Sequence, residues 1–214
     1  MLNKLSPLPK FLIDRYKNWK LDIYKENKDN FNKLAKFGQQ PNSMVISCCD
    51  SRIHVTSIFG ADEGEFFIHR NIANLVPPYA PDSEHHGTSA AIEFAIKELR
   101  VQHLIILGHR DCGGIKSGHS LHSRNSIKNY EFINNWLEIL FSSFNNISKN
   151  ISQEKQIEQL EEEGIKTSLS NLFTFPFVKK AVEDKKLSVH GLIHNIKSGE
   201  LKFLNPSSKK FENL

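Results

Sequence analysis

Long apolar runs are missing from this chain. No stretch approaches the ~18 consecutive apolar residues that a membrane-spanning helix requires, so no membrane partner is expected. The opening Met1-Leu2-Asn3-Lys4-Leu5-Ser6-Pro7 is broken by charge and proline and lacks the apolar core of a secretory signal, which points to a soluble, cytoplasmic protein. Cysteine is scarce: Cys48, Cys49 and Cys112 are the three in 214 residues. Three are too few and too clustered for a disulfide framework, so reduced thiols are expected, either buried or free to bind metal. Concentrated positive charge is also lacking. The net charge is +4, and its lysines are scattered from Lys4, Lys10, Lys17 and Lys20 to Lys179, Lys180, Lys185, Lys186, Lys209 and Lys210. Without clustering or interleaved aromatics, a nucleic-acid partner is not expected.

What is present is an ordinary globular balance, 39% hydrophobic and 24% charged. Residues Phe11 to Phe37 carry apolar Leu12, Tyr16, Trp19, Ile23 and Tyr24 near helical spacing, with a second helix from Asn30. This stretch, residues 1–38, reads as an N-terminal helical arm that packs on something, such as a second subunit. Residues 39–214 read as one α/β domain. Its expected strands are Ser43 to Cys48, Glu65 to His69, His103 to Leu107 and Ser188 to His194. A turn at Ser198-Gly199 then leads to a return strand over Leu201 to Leu204. Helices are expected over Gly87 to Arg100, Ile127 to Ser148 and Gln153 to Phe173. The fold class is therefore a mainly parallel central sheet flanked by helices, with an antiparallel C-terminal edge strand.

Three soft donors fall at the carboxyl ends of two expected parallel strands: Cys48 after one, His109 and Cys112 after the other. In open α/β sheets such ends form the ligand crevice where strand order reverses. Two cysteines and a histidine suit zinc, and three protein ligands leave one tetrahedral position open, as in catalytic sites. Gly113-Gly114 allows a tight turn that opens a helix, whose N-terminus favours the Cys112 thiolate. A lone His-x-x-Cys is weak by itself, since a cysteine at a strand end is more often an inert buried residue. Asp50 and Arg52 on the turn after Cys48 strengthen the zinc reading. The guanidinium fork of Arg52 matches the Asp50 carboxylate and would keep it ionised and oriented. Their alternative is an ordinary surface ion pair.

Cys48-Cys49-Asp50-Ser51-Arg52 matches the C-x-D-x-R signature of β-carbonic anhydrases, and Gly108-His109-Arg110-Asp111-Cys112-Gly113-Gly114 resembles their G-H-x-x-C-G-G motif. Between them, Arg70-Asn71-Ile72-Ala73-Asn74 is similar to the family's R-N-x-A-N segment, and the likeness runs on at lower density to His190-Gly191 and the Gly199-Glu200-Leu201 hairpin. The resemblance implies that Cys48, His109 and Cys112 hold one Zn2+ per subunit and that Asp50 with Arg52 is the catalytic dyad. It implies reversible hydration of carbon dioxide to bicarbonate by zinc-bound hydroxide. It also implies a homo-oligomer built from dimers, with the N-terminal helices embracing a neighbour and the active site at the dimer interface.

The plant-like branch is the nearer match. Gln39, nine positions before Cys48, and Phe67 correspond to residues beside the substrate there. Val45 replaces a tryptophan of the allosteric bacterial branch, so that branch's regulatory bicarbonate site is expected to be absent. Phe94 departs from a tyrosine common to both branches, and Leu192 from an aromatic. By this reading Gln39 donates to a substrate oxygen, Val45 and Phe67 form an apolar wall, and Gly113 completes the substrate-binding set. His54, His85 and His86 are possible proton shuttles, and Cys49 is expected to be a small buried residue facing away from Cys48. Carbonic anhydrases with three histidine ligands bring bound water to a pKa of about 7. That value belongs to those enzymes, and two thiolates are expected to leave the water less acidic. Hydrolysis of carbonyl sulfide or carbon disulfide, and a non-catalytic zinc or bicarbonate sensor, are the competing readings.

Overall fold

Four short apolar runs lie side by side as parallel strands in the computed structural model, which describes residues 5–82, 85–124 and 129–214. The first four residues and the start of the helix expected from Ile127 lie outside the described residues.

The chain divides into two units, one ending at Gln40 and the other beginning at Pro41. The boundary is thus two residues beyond the expected one. The first unit holds α1 (Lys10–Leu21), α2 (Ile23–Glu26) and α3 (Lys28–Phe37), none of which buries a residue. Helix is interrupted at Asp22 and Asn27, where short polar side chains compete for backbone groups; Asn27 Nδ2 donates to the Ile23 carbonyl at 3.0 Å. The unit is tied together by aromatic rings. Trp19 lies 6.1 Å from Tyr16, 5.5 Å from Tyr24 and 5.8 Å from Phe31, centroid to centroid.

The second unit is built on one sheet. Its strands are β1 (Ser43–Cys48), β2 (Phe66–Asn71), β3 (His103–His109), β4 (Ser188–His194), β5 (Leu201–Leu204) and β6 (Phe211–Asn213), in the order β2-β1-β3-β4-β5-β6. The first three pairings are parallel and the last two antiparallel. Five of the six residues of β1 are buried, as a continuous apolar run between two strands and two covered faces should be. One face of the sheet, with Met44, Ile46, Leu104 and Ile106, packs against α5 (Gly87–Lys97), α9 (Gln153–Leu172) and α10 (Pro176–Glu183). On the other, Val45, Leu107 and Leu192 pack with Val55 of the short α4 (Val55–Phe59).

Several elements differ from expectation. The C-terminal edge is antiparallel as expected but has one strand more, because β6 pairs beyond β5. α4, with five residues, is too short to show a period, and α10 opens on Pro176, which reads in sequence as a break but is well suited to a first helical turn. The single helix expected over 127–148 is instead α7 (Ile133–Leu137), a 3₁₀ turn at Glu138–Leu140 and α8 (Phe141–Asn146).

Glycine matters where α6 (Gly113–His122) meets the 3₁₀ turn Ile72–Asn74. A Cβ on Gly114 would stand 2.8 Å from Ile72 Cγ2, 3.0 Å from Ala73 Cβ and 3.3 Å from the Ala73 nitrogen. Backbone cannot yield as a side-chain tip can. Gly114→Ala is therefore expected to cost about 1–3 kcal/mol of stability, read as a lowered urea midpoint. An unchanged midpoint would show that the turn moves aside freely.

Candidate metal centre

Strand order reverses between β1 and β3: the chain leaves β1 for β2 on one side and later returns to β3 on the other. At that switch point the carboxyl ends of two neighbouring strands open a crevice. Cys48 is the last residue of β1 and His109 the last of β3. A turn through Asp111, at φ +63°, then brings Cys112 to the start of α6. The three donor atoms lie within 4.8 Å of one another and all three residues are buried.

Their spacing fits a tetrahedral ion. Two sulfurs each 2.3 Å from one centre sit about 3.8 Å apart, and Cys48 Sγ and Cys112 Sγ are 3.8 Å apart. His109 Nδ1 lies 2.9 Å from the Arg110 carbonyl, to which it donates as a protonated nitrogen. That bond fixes the tautomer and leaves Nε2 as the free lone pair. Nε2 is buried and has no hydrogen-bond partner. An orphaned imidazole nitrogen beside two close sulfurs fits a thiophilic dication such as zinc.

The charges agree. The hydrogen bond from Cys112 draws the Cys48 thiol down to about 4, against the effect of burial, with His109 and the amides of Asp50 and Ala73 helping. Cys112 is pushed up because it shares one proton with Cys48 and is buried. Burial alone would lower His109, but its contacts with Cys48 and the Arg110 carbonyl, and the charges of Cys48 and Asp50, raise it. Two sulfurs and one proton form a pair whose second charge requires a cation.

Asp50 stands beside this cluster, its Oδ2 3.9 Å from His109 Nε2. Arg52 grips it in two parallel bonds, Nε to Oδ1 at 2.9 Å and Nη2 to Oδ2 at 2.7 Å, and its backbone N–H adds a third at 3.0 Å. These bonds hold the Asp50 carboxyl well below the usual carboxylate range, with burial opposing and the His109 and Arg52 charges helping. A depressed folded pKa means that this pairing stabilises the fold above the ordinary carboxylate pKa of about 4. The contribution fades only as pH falls towards the depressed value.

Asp50 and Arg52 thus come together as expected. Gln39 lies in the first unit, exposed, just after Gly38. Gly113 opens α6 and is exposed, with nothing within 4 Å of where a Cβ would stand. The expected apolar wall is corrected: β1 and β2 pair Met44 with Phe67 and Val45 with Ile68, so Val45 and Phe67 face opposite sides of the sheet. Val45 is fully buried, whereas Phe67 is half-buried and stacked on Phe94 at 5.8 Å. Cys49 is exposed rather than buried and stays outside the donor cluster, because β1 ends before it. His54 bonds the hydroxyls of Thr56 and Ser57, and His86 bonds Asp82.

Three supporting residues received no role from the sequence, although two of them, Arg70 and Asp111, stand in its motifs. Arg70 donates to three carbonyls, of Cys48 (2.9 Å), Asp50 (2.7 Å) and Ile53 (2.9 Å), and so pins the loop that carries the dyad. Asp111 takes Arg52 Nη1 on its carboxylate at 3.2 Å and Nη2 on its carbonyl at 3.1 Å, and Lys116 bonds its other oxygen. Glu161, buried on α9, accepts the Cys112 N–H at 3.1 Å and Arg110 Nη1 at 3.2 Å. Glu161 hides in an acidic run that reads as solvent-facing. It nonetheless occupies the stripe of buried Leu160, Gly164, Ile165, Ser168 and Leu172, and that position was the available signal.

An α/β domain with a buried Cys₂His donor group at its switch point, flanked by an arginine-clamped aspartate, carries the donor set of a catalytic zinc site. Residues 43–201 match the family model described as carbonic anhydrase. The chain is 36% identical over 200 residues to beta carbonic anhydrase 3 of Arabidopsis thaliana, covering 92% of this chain and 76% of that one. It is 31% identical to a carbonic anhydrase of Synechococcus elongatus, covering 89% and 69%. Among solved structures, the β-carbonic anhydrase CcaA superimposes with a TM-score of 0.88 at 28% identity, covering 96% and 91%. A tetrameric enzyme from Sordaria macrospora does so at 0.77 and 28%, covering 91% and 95%. The chain belongs to the plant-like β-class carbonic anhydrases, enzymes that interconvert carbon dioxide and bicarbonate. Among the described residues no helix is long and apolar enough to cross a membrane.

Glu161→Gln keeps the shape of the side chain but removes the charge that Cys112 and Arg110 share. Support of this kind typically contributes 10–100-fold to metal affinity, and a loss of about that size is expected in a chelator competition for zinc. Unaltered zinc retention would reduce Glu161 to a packing residue.

Proposed function

We propose that the chain hydrates carbon dioxide reversibly at one zinc ion per subunit, held by Cys48, His109 and Cys112. Zinc bound there supplies a Lewis acid that makes a water molecule acidic enough to give hydroxide near neutral pH. The observation that carries the reading is the Asp50 carboxylate, ionised, fixed in a two-point grip by Arg52 and set beside the cluster.

Asp50 accepts a hydrogen bond from the attacking oxygen and aims its lone pair at the substrate carbon. Arg52 restrains Asp50 from turning its own oxygens onto the metal, and Asp111 and Arg70 restrain Arg52 and the loop in turn. Gln39 donates to a substrate oxygen. Phe67 supplies an apolar surface suited to an uncharged gas, Gly113 offers a backbone N–H at the mouth of α6, and Val45 acts behind the sheet as packing under the site. The N-terminal unit, with exposed Leu12, Tyr16 and Trp19, serves as an arm that packs on a neighbouring subunit in an oligomer built from dimers. Its relative from Sordaria macrospora is tetrameric, which supports that assembly. Three unpaired cysteines fit a reducing, cytoplasmic setting.

Stopped-flow hydration on zinc-assayed protein tests the reading. Asp50→Ala is expected to keep its zinc and lose at least about a hundredfold in kcat, the scale of proton-handling groups. Full activity in that variant would sink the dyad. Inactivity of the zinc-loaded native protein towards carbon dioxide, with turnover of carbonyl sulfide or carbon disulfide, would move the function to hydrolysis.

The pH profile follows from the charges. Asp50 stays ionised far below neutrality, so it sets no limb between pH 5 and 9. Two thiolates should leave the bound water less acidic than in three-histidine centres, and kcat is expected to rise between about pH 7 and 9. A flat profile from pH 6 to 9 would contradict this.

A further inference from the structure

Away from the catalytic centre, the amino-terminal halves of β3 and β4 bring two imidazoles together. His103 Nδ1 and His190 Nε2 are 3.2 Å apart, with ring centroids at 5.4 Å and ring planes inclined by 42°. The strands are in parallel register, Ile105 opposite His190 and His103 opposite Ser188, so the two rings meet on a diagonal of one sheet face. His190 is exposed and His103 partly so.

We propose that His103 and His190 form a second metal site, taking a divalent late transition ion of the Cu2+, Ni2+ or Zn2+ type. The bite supports this. Two imidazole nitrogens 2.0–2.1 Å from one ion, at an angle between about 90° and 109°, stand about 2.9–3.4 Å apart. The observed 3.2 Å falls inside that window. In the absence of an ion the two nitrogens share a proton, and small ring rotations turn both lone pairs onto a common point. The ligands are carried by neighbouring strands of one sheet, so little backbone freedom is lost on binding. His190 is exposed as a residue but its ring is partly covered, and that partial burial, then the neighbouring His103, lowers its pKa and keeps its lone pair available at neutral pH.

Among the described residues, the one cluster of three or more His, Cys, Asp or Glu donors is the catalytic one, so this site has two protein ligands and fills its shell with water. It is therefore weaker than the catalytic centre and should rank ions by the general order, copper above nickel and zinc. His109 lies six residues further along β3, about 20 Å away at about 3.3 Å per residue. Occupation of the new site is thus separable from catalysis, and the inference stands apart from the proposed reaction.

The test uses full-length protein already carrying its assayed zinc, titrated with Cu2+ and followed by calorimetry and electron paramagnetic resonance. The expected result is one additional copper per chain, with hyperfine splitting from two nitrogens, while zinc content and hydration rate hold. His103→Ala and His190→Ala should each weaken copper binding by at least about tenfold and remove the two-nitrogen signature. The double variant should bind no second ion and hydrate carbon dioxide normally, which also shows that it has folded. Equal copper binding by the double variant, copper bound only as zinc leaves, or no copper bound at millimolar concentration would each overturn the site.

Discussion

Two buried sulfurs 3.8 Å apart, with a buried imidazole nitrogen that nothing satisfies, set the condition that the rest of this end of the molecule must meet. Left to themselves, two thiols at that spacing hold one proton between them, and both become thiolates only when a cation replaces it. The surrounding chain keeps the donors from separating. Arg70 ties the carbonyls of Cys48, Asp50 and Ile53, and Glu161 holds the amide of Cys112 from the far helix. The 3₁₀ turn behind them holds Ala73 and Asn74 at positive φ, a conformation that non-glycine residues keep only when their surroundings enforce it. Both residues are buried, and Asn71 braces the same turn through the N–H and carbonyl of Leu75.

Charge alternates outward from the centre: Asp50, Arg52, Asp111, Lys116. Asp111 and Lys116 are exposed, where a single ion pair contributes little to stability. The arrangement has a different consequence. Arg52 spends Nε and Nη2 on Asp50 and Nη1 and Nη2 on Asp111, so its plane is fixed by two carboxylates instead of one. A guanidinium fixed in this way orients its partner far better than a lysine would, because its fork cannot rotate without breaking several bonds at once. The turn that gives Asp111 its positive φ also sets Cys112 at the head of α6, so ligand placement and dyad orientation share one piece of backbone.

What was legible in the sequence follows from the range of the forces involved. β1, β4 and β5 are as expected because apolar runs bounded by turns are local signals, and α9 because twenty residues carry several helical periods. Cys48, His109 and Cys112 could be read because their chemistry is rare and their spacing is local at each strand end. Arg70 and Glu161 could not be assigned roles, since what they bond lies 17 to 22 and 49 to 51 residues away and is mostly backbone, which has no signature in sequence. α4, α10 and β6 are too short, or open on a residue that reads as a break. The shared wall of Val45 and Phe67 failed for a plainer reason: family resemblance supplies roles but no faces, and in a sheet the face is set by register alone.

That failure separates the machinery into two parts. The donors, Asp50, Arg52 and the residues that brace them all belong to one unit and are closed by its own hydrogen bonds. Val45 and Phe67, both assigned to the substrate, are split between the two faces of the sheet. Phe67 stacks on Phe94, itself 45% exposed, on the face opposite Val45. That aromatic pair stands four residues back along β2 from the level of Cys48, about 13 Å at about 3.3 Å per residue, so it takes no part in closing the donor cluster. The Asp50 clamp is closed by hydrogen bonds of the second unit alone, whereas the apolar residues assigned to the substrate are held by packing within the sheet. On this argument metal binding and the Asp50 clamp should survive changes in the residues assigned to the substrate, because the two parts share no hydrogen bond of that network.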